Sequence, residues 1–145
     1  MTATLTPRQR AEALVPDLAA RAAEAEAQRR MPDATFAAIK SAGLHRMSQP
    51  RRFGGLEQSQ DETAEVIRTL ARGCGSAAWV CSVYNDHAIL VEKMDPRAAD
   101  EVWRENPDAT ISAGYFPSGT AERVQGGWKL AGTWGFASGV DHAGT

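Results

Sequence analysis

The residues best suited to chemistry lie near the end of the chain, in the run W-G-F-A-S-G at residues 134–139. This run places two aromatic rings, the hydroxyl of Ser138 and the bare backbone of Gly139 close together. Such groups suit a flat ring with polar edges. The preceding G-G-W-K-L-A-G alternates apolar and polar residues, which is typical of a half-buried strand after a glycine turn. An ordinary hairpin with a glycine bulge is the alternative interpretation.

A second candidate is His87, which follows an apolar helical stretch. Residues 77–93 are apolar almost all round for two turns, which predicts a helix buried at the centre of a bundle. His87 then either faces a pocket at the edge of the bundle, as a proton donor or base, or is an ordinary histidine near a helix end. Trp79, about two turns earlier, either forms part of the same pocket wall or packs in the core.

The sequence lacks the common motifs for metal, phosphate and nucleophile chemistry. H-E-x-x-H, paired C-x-x-C, G-x-x-x-x-G-K-[ST] and G-x-S-x-G are all missing. His45, His87 and His142 are far apart and do not suggest a metal site, so no metal is expected. An organic cofactor would therefore have to carry any difficult chemistry. Cys74 and Cys81, seven residues apart in a helical context, are expected to be free thiols.

Composition narrows the class of protein. The chain has 145 residues, 43% of them hydrophobic, a net charge of −2 and a pI near 5.9. This balance gives no reason to expect nucleic acid or an anionic membrane as a partner. Neither a secretory signal nor an apolar run of about 18 residues is visible, so a cytoplasmic location is expected. The sequence stops soon after a strand-like run, which predicts a larger architecture cut short.

The elements that position these residues divide into helices followed by strands, an α+β arrangement. We predict a helical domain over 1–107 and the first strands of a β domain over 108–145. The predicted helices are 7–30, 33–43, 59–72, 77–93 and 97–104, with Ser76 capping the fourth. Leu44–Met47 is predicted to be extended. The strand-like segments are 109–116, 121–125 and the run that begins at Trp128.

These elements, together with the loop P-x-x-F-G-G at residues 50–55, resemble the N-terminal part of the acyl-CoA dehydrogenase fold. In that fold a strand like L-N-G-x-K-x-W-I-T-N carries a Thr that contacts flavin N5. Phe136, Ser138 and Gly139 fall at the Trp, Thr and Asn positions of that strand. The dehydrogenase motif T-E-P-G-x-G-S-D is missing, and residues 115–119 stand in its place. This difference argues against an acyl-CoA substrate.

The chain is more similar to the flavin-dependent monooxygenases built on this fold, the oxygenase components of two-component aromatic hydroxylases. Their flavin strand favours W-x-F-x-S-G-x-D-H, which residues 134–142 fit in full. G-S-x-x-W with a downstream His also fits, through Gly75, Ser76, Trp79 and His87. The resemblance covers the first third or so of a typical member. It implies that the C-terminal helical bundle of the family is absent from this chain.

The resemblance implies a concrete chemistry. A separate reductase supplies reduced flavin, FMN or else FAD, and an aromatic or phenolic substrate is hydroxylated with O2 through C4a-hydroperoxyflavin. Ser138 would hold the N5 proton, and His87 would stabilise the phenolate beside Trp79. The expected flavin contacts are Phe116, Pro117, Ser118, Trp134, Phe136, Ser138 and Gly139. A homotetramer is expected for complete members, and the 145-residue chain alone should be inactive. The alternatives are an acyl-CoA dehydrogenase-like flavoprotein oxidoreductase and a non-catalytic helical interaction module.

Overall fold

The structure, a computed structural model, describes residues 5–116 and 118–144. Within these residues, six α-helices precede one antiparallel hairpin, which confirms the predicted class. The helices are α1 Pro7–Ala20, α2 Ala22–Gln28, α3 Asp33–Ser41, α4 Gln60–Ala71, α5 Gly75–Glu92 and α6 Pro96–Trp103. The strands are β1 Gly119–Val124 and β2 Gly127–Gly132, and the 3₁₀ helices are Leu44–Arg46, Arg51–Phe53 and Val140–His142. The boundary at residue 107 falls between α6 and β1 and stays a prediction.

The N-terminal helix is interrupted at Arg21. The prediction of one helix over residues 7–30 is wrong, because α1 ends and α2 begins on either side of Arg21, at φ −101° and ψ 3°. The start is as predicted, since Thr6 caps α1 through a reciprocal pair of bonds with Gln9. At the interruption the Arg21 side chain reaches α3, where its Nε donates to Thr35 Oγ1 at 3.1 Å. A tertiary contact of this kind has no signature in a local helical pattern.

Helix α5 packs against α3, α4, α6 and the first 3₁₀ helix, which confirms its predicted central place. Its start differs from the prediction. The helix begins at Gly75 after an extended Cys74, and Ser76 is not its cap. The loop before the helix is constrained by a close approach to α1, because a Cβ added to Gly73 would lie 2.6 Å from the carbonyl oxygen of Val15. This contact between chain segments limits the path by which the backbone enters α5.

Residues 44–47, predicted to be extended, contain a buried 3₁₀ helix instead. Asn85 on α5 is the cause. Its fully buried side chain donates to the Leu44 carbonyl at 2.9 Å and accepts from the Ser48 N–H at 2.9 Å. Because a buried amide needs hydrogen-bond partners, Asn85 sets the backbone path of this segment.

The hairpin is smaller than the predicted β region. Its strands pair in register from Gly119–Gly132 to Val124–Gly127, and Gly126 in the turn has φ +86°. The predicted strand at 109–116 is wrong, because this segment has no strand partner among the described residues. It crosses the surface of α5 instead. Trp128 and Leu130 on β2 are exposed, so the hairpin buries little apolar surface of its own.

Three further observations bear on the chemistry available. Within the described ranges no helix has the length and apolar character needed to cross a bilayer. The same residues contain no group of three or more His, Cys, Asp or Glu side chains that could hold a metal ion. Cys74 and Cys81 are buried free thiols, as predicted, and burial raises the pKa of Cys81 to about 12. That thiol is therefore protonated at neutral pH and unsuited to act as a nucleophile.

Candidate functional site

Trp79 and Ser138 meet on the surface of α5. The Trp79 side chain is 62% exposed, and its Nε1 donates to Ser138 Oγ at 3.2 Å. Ser138 lies in a turn between β2 and the last 3₁₀ helix, so its expected place in a strand is wrong. The hairpin ladder ends at the pair Gly119–Gly132, before the chain reaches Ser138. The structure nevertheless brings a predicted hydroxyl and a predicted pocket aromatic into direct contact.

Gly139 is the tightest point of this turn. Its backbone has φ +81°, and Tyr84 Oη on α5 donates to its carbonyl oxygen at 2.7 Å. A Cβ at this position would lie 2.7 Å from Cε1 of the Tyr84 ring. Burial, followed by the negative charge of Asp141, raises the pKa of Tyr84, so its phenol remains a donor. Both the φ angle and the close approach require glycine here.

A cleft of about 620 Å³ opens beside this turn. It lies between the C-terminal end of α2, the first turns of α5 and residues 137–142. Trp79, Ser138 and Gly139 line the cleft together, with Arg29 and Arg30 on its α2 side. The other predicted site residues described here are not among its lining residues.

Phe116 and Phe136 form an exposed aromatic pair next to the hairpin. Their ring centroids are 6.1 Å apart, and the side chains are 63% and 89% exposed. Phe136 has φ +58°, a left-handed conformation that is uncommon for an aromatic residue. Ser118 Oγ donates to the Thr133 carbonyl at 2.7 Å and holds the two segments together. Pro117, the remaining predicted contact of this group, lies outside the described residues.

Trp134 packs against the base of the hairpin. A Cβ on Gly119 would lie 2.2 Å from its Cζ2, and one on Gly132 would lie 3.2 Å from its Cη2. A Cβ on Gly114 would lie 3.1 Å from the Trp134 Cβ. Gly119 and Gly132 are register partners, so the glycine pair provides a flat surface for the indole. The Trp134 side chain is 39% exposed, so part of the indole remains accessible to solvent.

His87 is buried beneath the segment that crosses α5. Its Nδ1 lies 2.9 Å from the Ile111 carbonyl oxygen, and its ring is 5.6 Å from the Tyr115 ring. Ser112, the next residue after Ile111, donates through Oγ to the Ser138 carbonyl at 3.1 Å. His87 and Ser138 therefore contact neighbouring residues of one segment, although no direct bond joins their side chains among those described.

Two residues around the turn were missed as contributors to the site, Tyr84 and His142. His142 appeared only as the last letter of the W-x-F-x-S-G-x-D-H pattern. Its ring stacks on Phe36 at 4.6 Å, and its Nε2 lies 3.0 Å from Asp33 Oδ1. This hydrogen bond, followed by the charge of Arg30, holds the pKa of Asp33 below its usual value. The D-H ending of the pattern was the available signal, but it did not show that the histidine packs on α3.

The chain superposes on the matching part of several solved structures. The 3-HSA hydroxylase from Rhodococcus sp. RHA1 superposes with a TM-score of 0.91 at 35% identity, covering 97% of this chain and 36% of that one. XiaF from Streptomyces sp., solved in complex with FADH2 and glycerol, gives a TM-score of 0.91 at 34% identity, covering 94% and 35%.

Curated relatives agree with these structures. The p-hydroxyphenylacetate 3-hydroxylase oxygenase component of Acinetobacter baumannii is 39% identical over 135 residues, which is 93% of this chain and 32% of the relative. The FADH(2)-dependent resorcinol hydroxylase oxygenase component of Rhizobium sp. is 36% identical over 122 residues, 84% of this chain and 30% of the relative. The chain spans about a third of the length of these relatives. Residues 6–106 match the family described as "Acyl-CoA dehydrogenase, N-terminal domain", and the chain belongs to this family.

Proposed function

We propose that this chain supplies the N-terminal helical domain and first hairpin of the oxygenase component of a two-component flavin-dependent monooxygenase. Its substrate is an aromatic or phenolic compound. The observation that carries the proposal is the contact between Trp79 and Ser138, at 3.2 Å, on an open surface with an exposed aromatic pair nearby. Hydroxylase names among the relatives favour this activity over that of an acyl-CoA dehydrogenase-like oxidoreductase or a non-catalytic module.

The residues present fit a flavin. Its flat ring has apolar faces and polar edges, and Phe116 and Phe136 offer exposed aromatic surface. The left-handed backbone of Phe136 costs about 1–2 kcal/mol, and such strain is concentrated at functional sites. Reduced flavin, when bound, supplies the activation of O2. FMN is the proposed form and FAD the alternative, which two relatives name as FADH2.

Ser138 is assigned to the N5 edge of the ring. Its Oγ accepts the Trp79 indole hydrogen through one lone pair, so the second lone pair is still available to accept the hydrogen carried by N5. A hydroxyl anchored in this way can hold a proton at N5 without adding charge. Retaining that proton prevents the loss of oxidising equivalents as hydrogen peroxide.

His87 is assigned to the substrate hydroxyl. Because a carbonyl oxygen only accepts, His87 Nδ1 carries a hydrogen that points at the Ile111 carbonyl. In the tautomer with its hydrogen on Nδ1, the lone pair is on Nε2, where it can accept the O–H of a phenol and increase the electron density of the ring that is to be hydroxylated. Trp79, about two turns earlier on α5, would border the same substrate.

The remaining parts of the proposal concern the assembly. The reduced cofactor comes from a separate reductase, and the complete oxygenase is a homotetramer in the cytoplasm. Phe116, Pro117 and Ser118 border the pyrimidine side of the flavin, and Trp134, Phe136 and Gly139 complete the contacts. The 145-residue chain alone is expected to bind flavin weakly, because it spans about a third of its relatives.

The test is a chimaera in which this chain replaces the matching segment of the Acinetobacter oxygenase component. We expect it to bind reduced FMN or FAD in an anaerobic titration and, after addition of oxygen, to form hydroxylated product from p-hydroxyphenylacetate or another phenol. The parent oxygenase is the control for folding and assembly. A folded chimaera that binds neither flavin would contradict the proposed function.

Two substitutions in the chimaera test the residue assignments. Ser138→Ala should raise the ratio of hydrogen peroxide to product by about tenfold or more, since one hydrogen bond at the reacting edge is lost. His87→Asn should lower hydroxylation by about 10²-fold while flavin affinity stays the same. An unchanged peroxide ratio would remove Ser138 from the N5 role, and full activity of the Asn variant between pH 6 and 9 would remove His87.

A further inference from the structure

The turn that carries Ser138 is attached to α5 and to the segment that crosses α5. Tyr84 Oη on α5 donates to the Gly139 carbonyl at 2.7 Å. Ser112 Oγ in the crossing segment donates to the Ser138 carbonyl at 3.1 Å. The position of the turn is therefore fixed by side chains outside it.

His142 attaches the end of the same turn to α3. Its side chain is only 8% exposed, although Asp33, whose Oδ1 lies 3.0 Å from the His142 Nε2, is exposed. Arg30 Nη2 lies 3.3 Å from the same nitrogen. The ring stacks on Phe36 with an interplanar angle of 30°. Its backbone carbonyl also accepts from Thr110 Oγ1 at 2.9 Å. Side chain and backbone of one residue thus join the turn to two other segments.

We propose that Tyr84 and His142 are positioning residues, which hold the Ser138 turn so that its hydroxyl stays at Trp79. This inference rests on the proposed role of Ser138 for its functional meaning. The geometry supports two anchors, since Tyr84 holds the residue directly after Ser138 and His142 is itself the last residue of the 3₁₀ helix that follows. Losing either anchor lets the turn rotate about the other.

The test uses nuclear magnetic resonance on the 145-residue chain without any cofactor. Tyr84→Phe keeps the ring and removes the donor to Gly139. His142→Phe keeps a ring against Phe36 and removes the bond to Asp33. Tyr115→Phe, a substitution of the exposed tyrosine, is the matched control.

The two anchor variants should raise amide exchange at positions 142 and 144 by about two- to tenfold, as expected for one lost hydrogen bond. Those amides donate to the Gly139 and Thr110 carbonyls in the structure. The indole N–H signal of Trp79 should shift in both variants and stay in place in the control. Exchange in α4 should not change, because the effect is confined to the turn.

Unchanged exchange and an unchanged Trp79 signal in either folded anchor variant would overturn the proposal. So would exchange that rises equally in α4, because that result indicates a general loss of stability. If one variant does not fold, the other still tests the proposal through amide exchange at positions 142 and 144 and through the Trp79 indole signal. No flavin is present, so the outcome is independent of whether the proposed monooxygenase activity is correct.

Discussion

Gly139 gives the sharpest test of how the candidate site is built, because two separate physical terms meet there. Its φ of +81° is left-handed, and a Cβ would lie 2.7–2.9 Å from three atoms of the Tyr84 ring and hydroxyl. Gly139→Ala therefore strains the backbone and forces the turn away from α5. Substitutions at two other glycines separate the effect of the φ angle from that of the steric clash. Gly126 has φ +86° with nothing within 4 Å of an added Cβ, and Gly135 has neither a positive φ nor a neighbour.

The magnitudes follow from these contacts. A non-glycine residue in the left-handed region costs about 1–2 kcal/mol. Relieving the clash by moving the turn loses the bond from Tyr84 to the Gly139 carbonyl, which is worth about 1 kcal/mol. Gly139→Ala should thus destabilise docking of the turn by about 2–3 kcal/mol, which is a change of roughly 30- to 150-fold in the docking equilibrium. Gly126→Ala should cost about 1–2 kcal/mol within the hairpin, and Gly135→Ala should cost nothing.

Hydrogen exchange measured by mass spectrometry distinguishes the three alanine variants in the 145-residue chain without any cofactor. In Gly139→Ala, peptides covering 138–144 should lose their protection while α4 and α5 keep theirs. Gly126→Ala should affect only peptides of the hairpin, and Gly135→Ala should match the unsubstituted chain. Equal protection of 138–144 in Gly139→Ala and Gly135→Ala would refute the reasoning, because neither the φ angle nor the Tyr84 contact would then constrain the turn.

Two more predictions concern other parts of the fold. Burial lowers the pKa of His45 to about 4, outweighing the opposing charge of Asp108, so between pH 6.5 and 4 the unfolded chain binds a proton that the folded chain does not. The contribution of neutral His45 to the free energy of unfolding should be fully present above pH 6.5, and it should fall by about 3 kcal/mol on acidification to pH 4, as measured by urea unfolding. A His45→Asn variant whose free energy of unfolding falls equally steeply with pH would contradict this. Gly119→Ala should displace the Trp134 indole and increase acrylamide quenching of its fluorescence. Gly127→Ala on the same hairpin should not, because nothing lies within 4 Å of a Cβ added there. Equal quenching in the two variants would disprove the packing of Trp134 on the glycine pair.

Local signals in the sequence were sufficient for most of the helical part. Ser59 and Glu62 form the reciprocal cap that starts α4, and Asp95 caps α6 through the Arg97 N–H, both at predicted helix starts. Such caps act within three residues, so a reader of the sequence can find them. The helix starts and segment conformations that were predicted wrongly depend on contacts between distant residues. Asn85 bonds Leu44, 41 residues earlier in the chain, and no local pattern describes that pair.

The candidate site shows the same division within a single motif. In W-x-F-x-S-G-x-D-H the spacing identifies a chemical surface, yet it does not separate the residues that face outward from those that hold the turn. Phe136 is 89% exposed and free to meet a ligand, whereas His142, six positions later, bonds a carboxylate 109 residues away. Glycine at 139 is required by Tyr84 and by its φ angle, whatever the cofactor. Substitutions at Gly139 and His142 should therefore loosen the turn in the empty chain, while replacing the exposed Phe136 ring is expected to act on the proposed flavin complex and to leave the Ser138 turn in place.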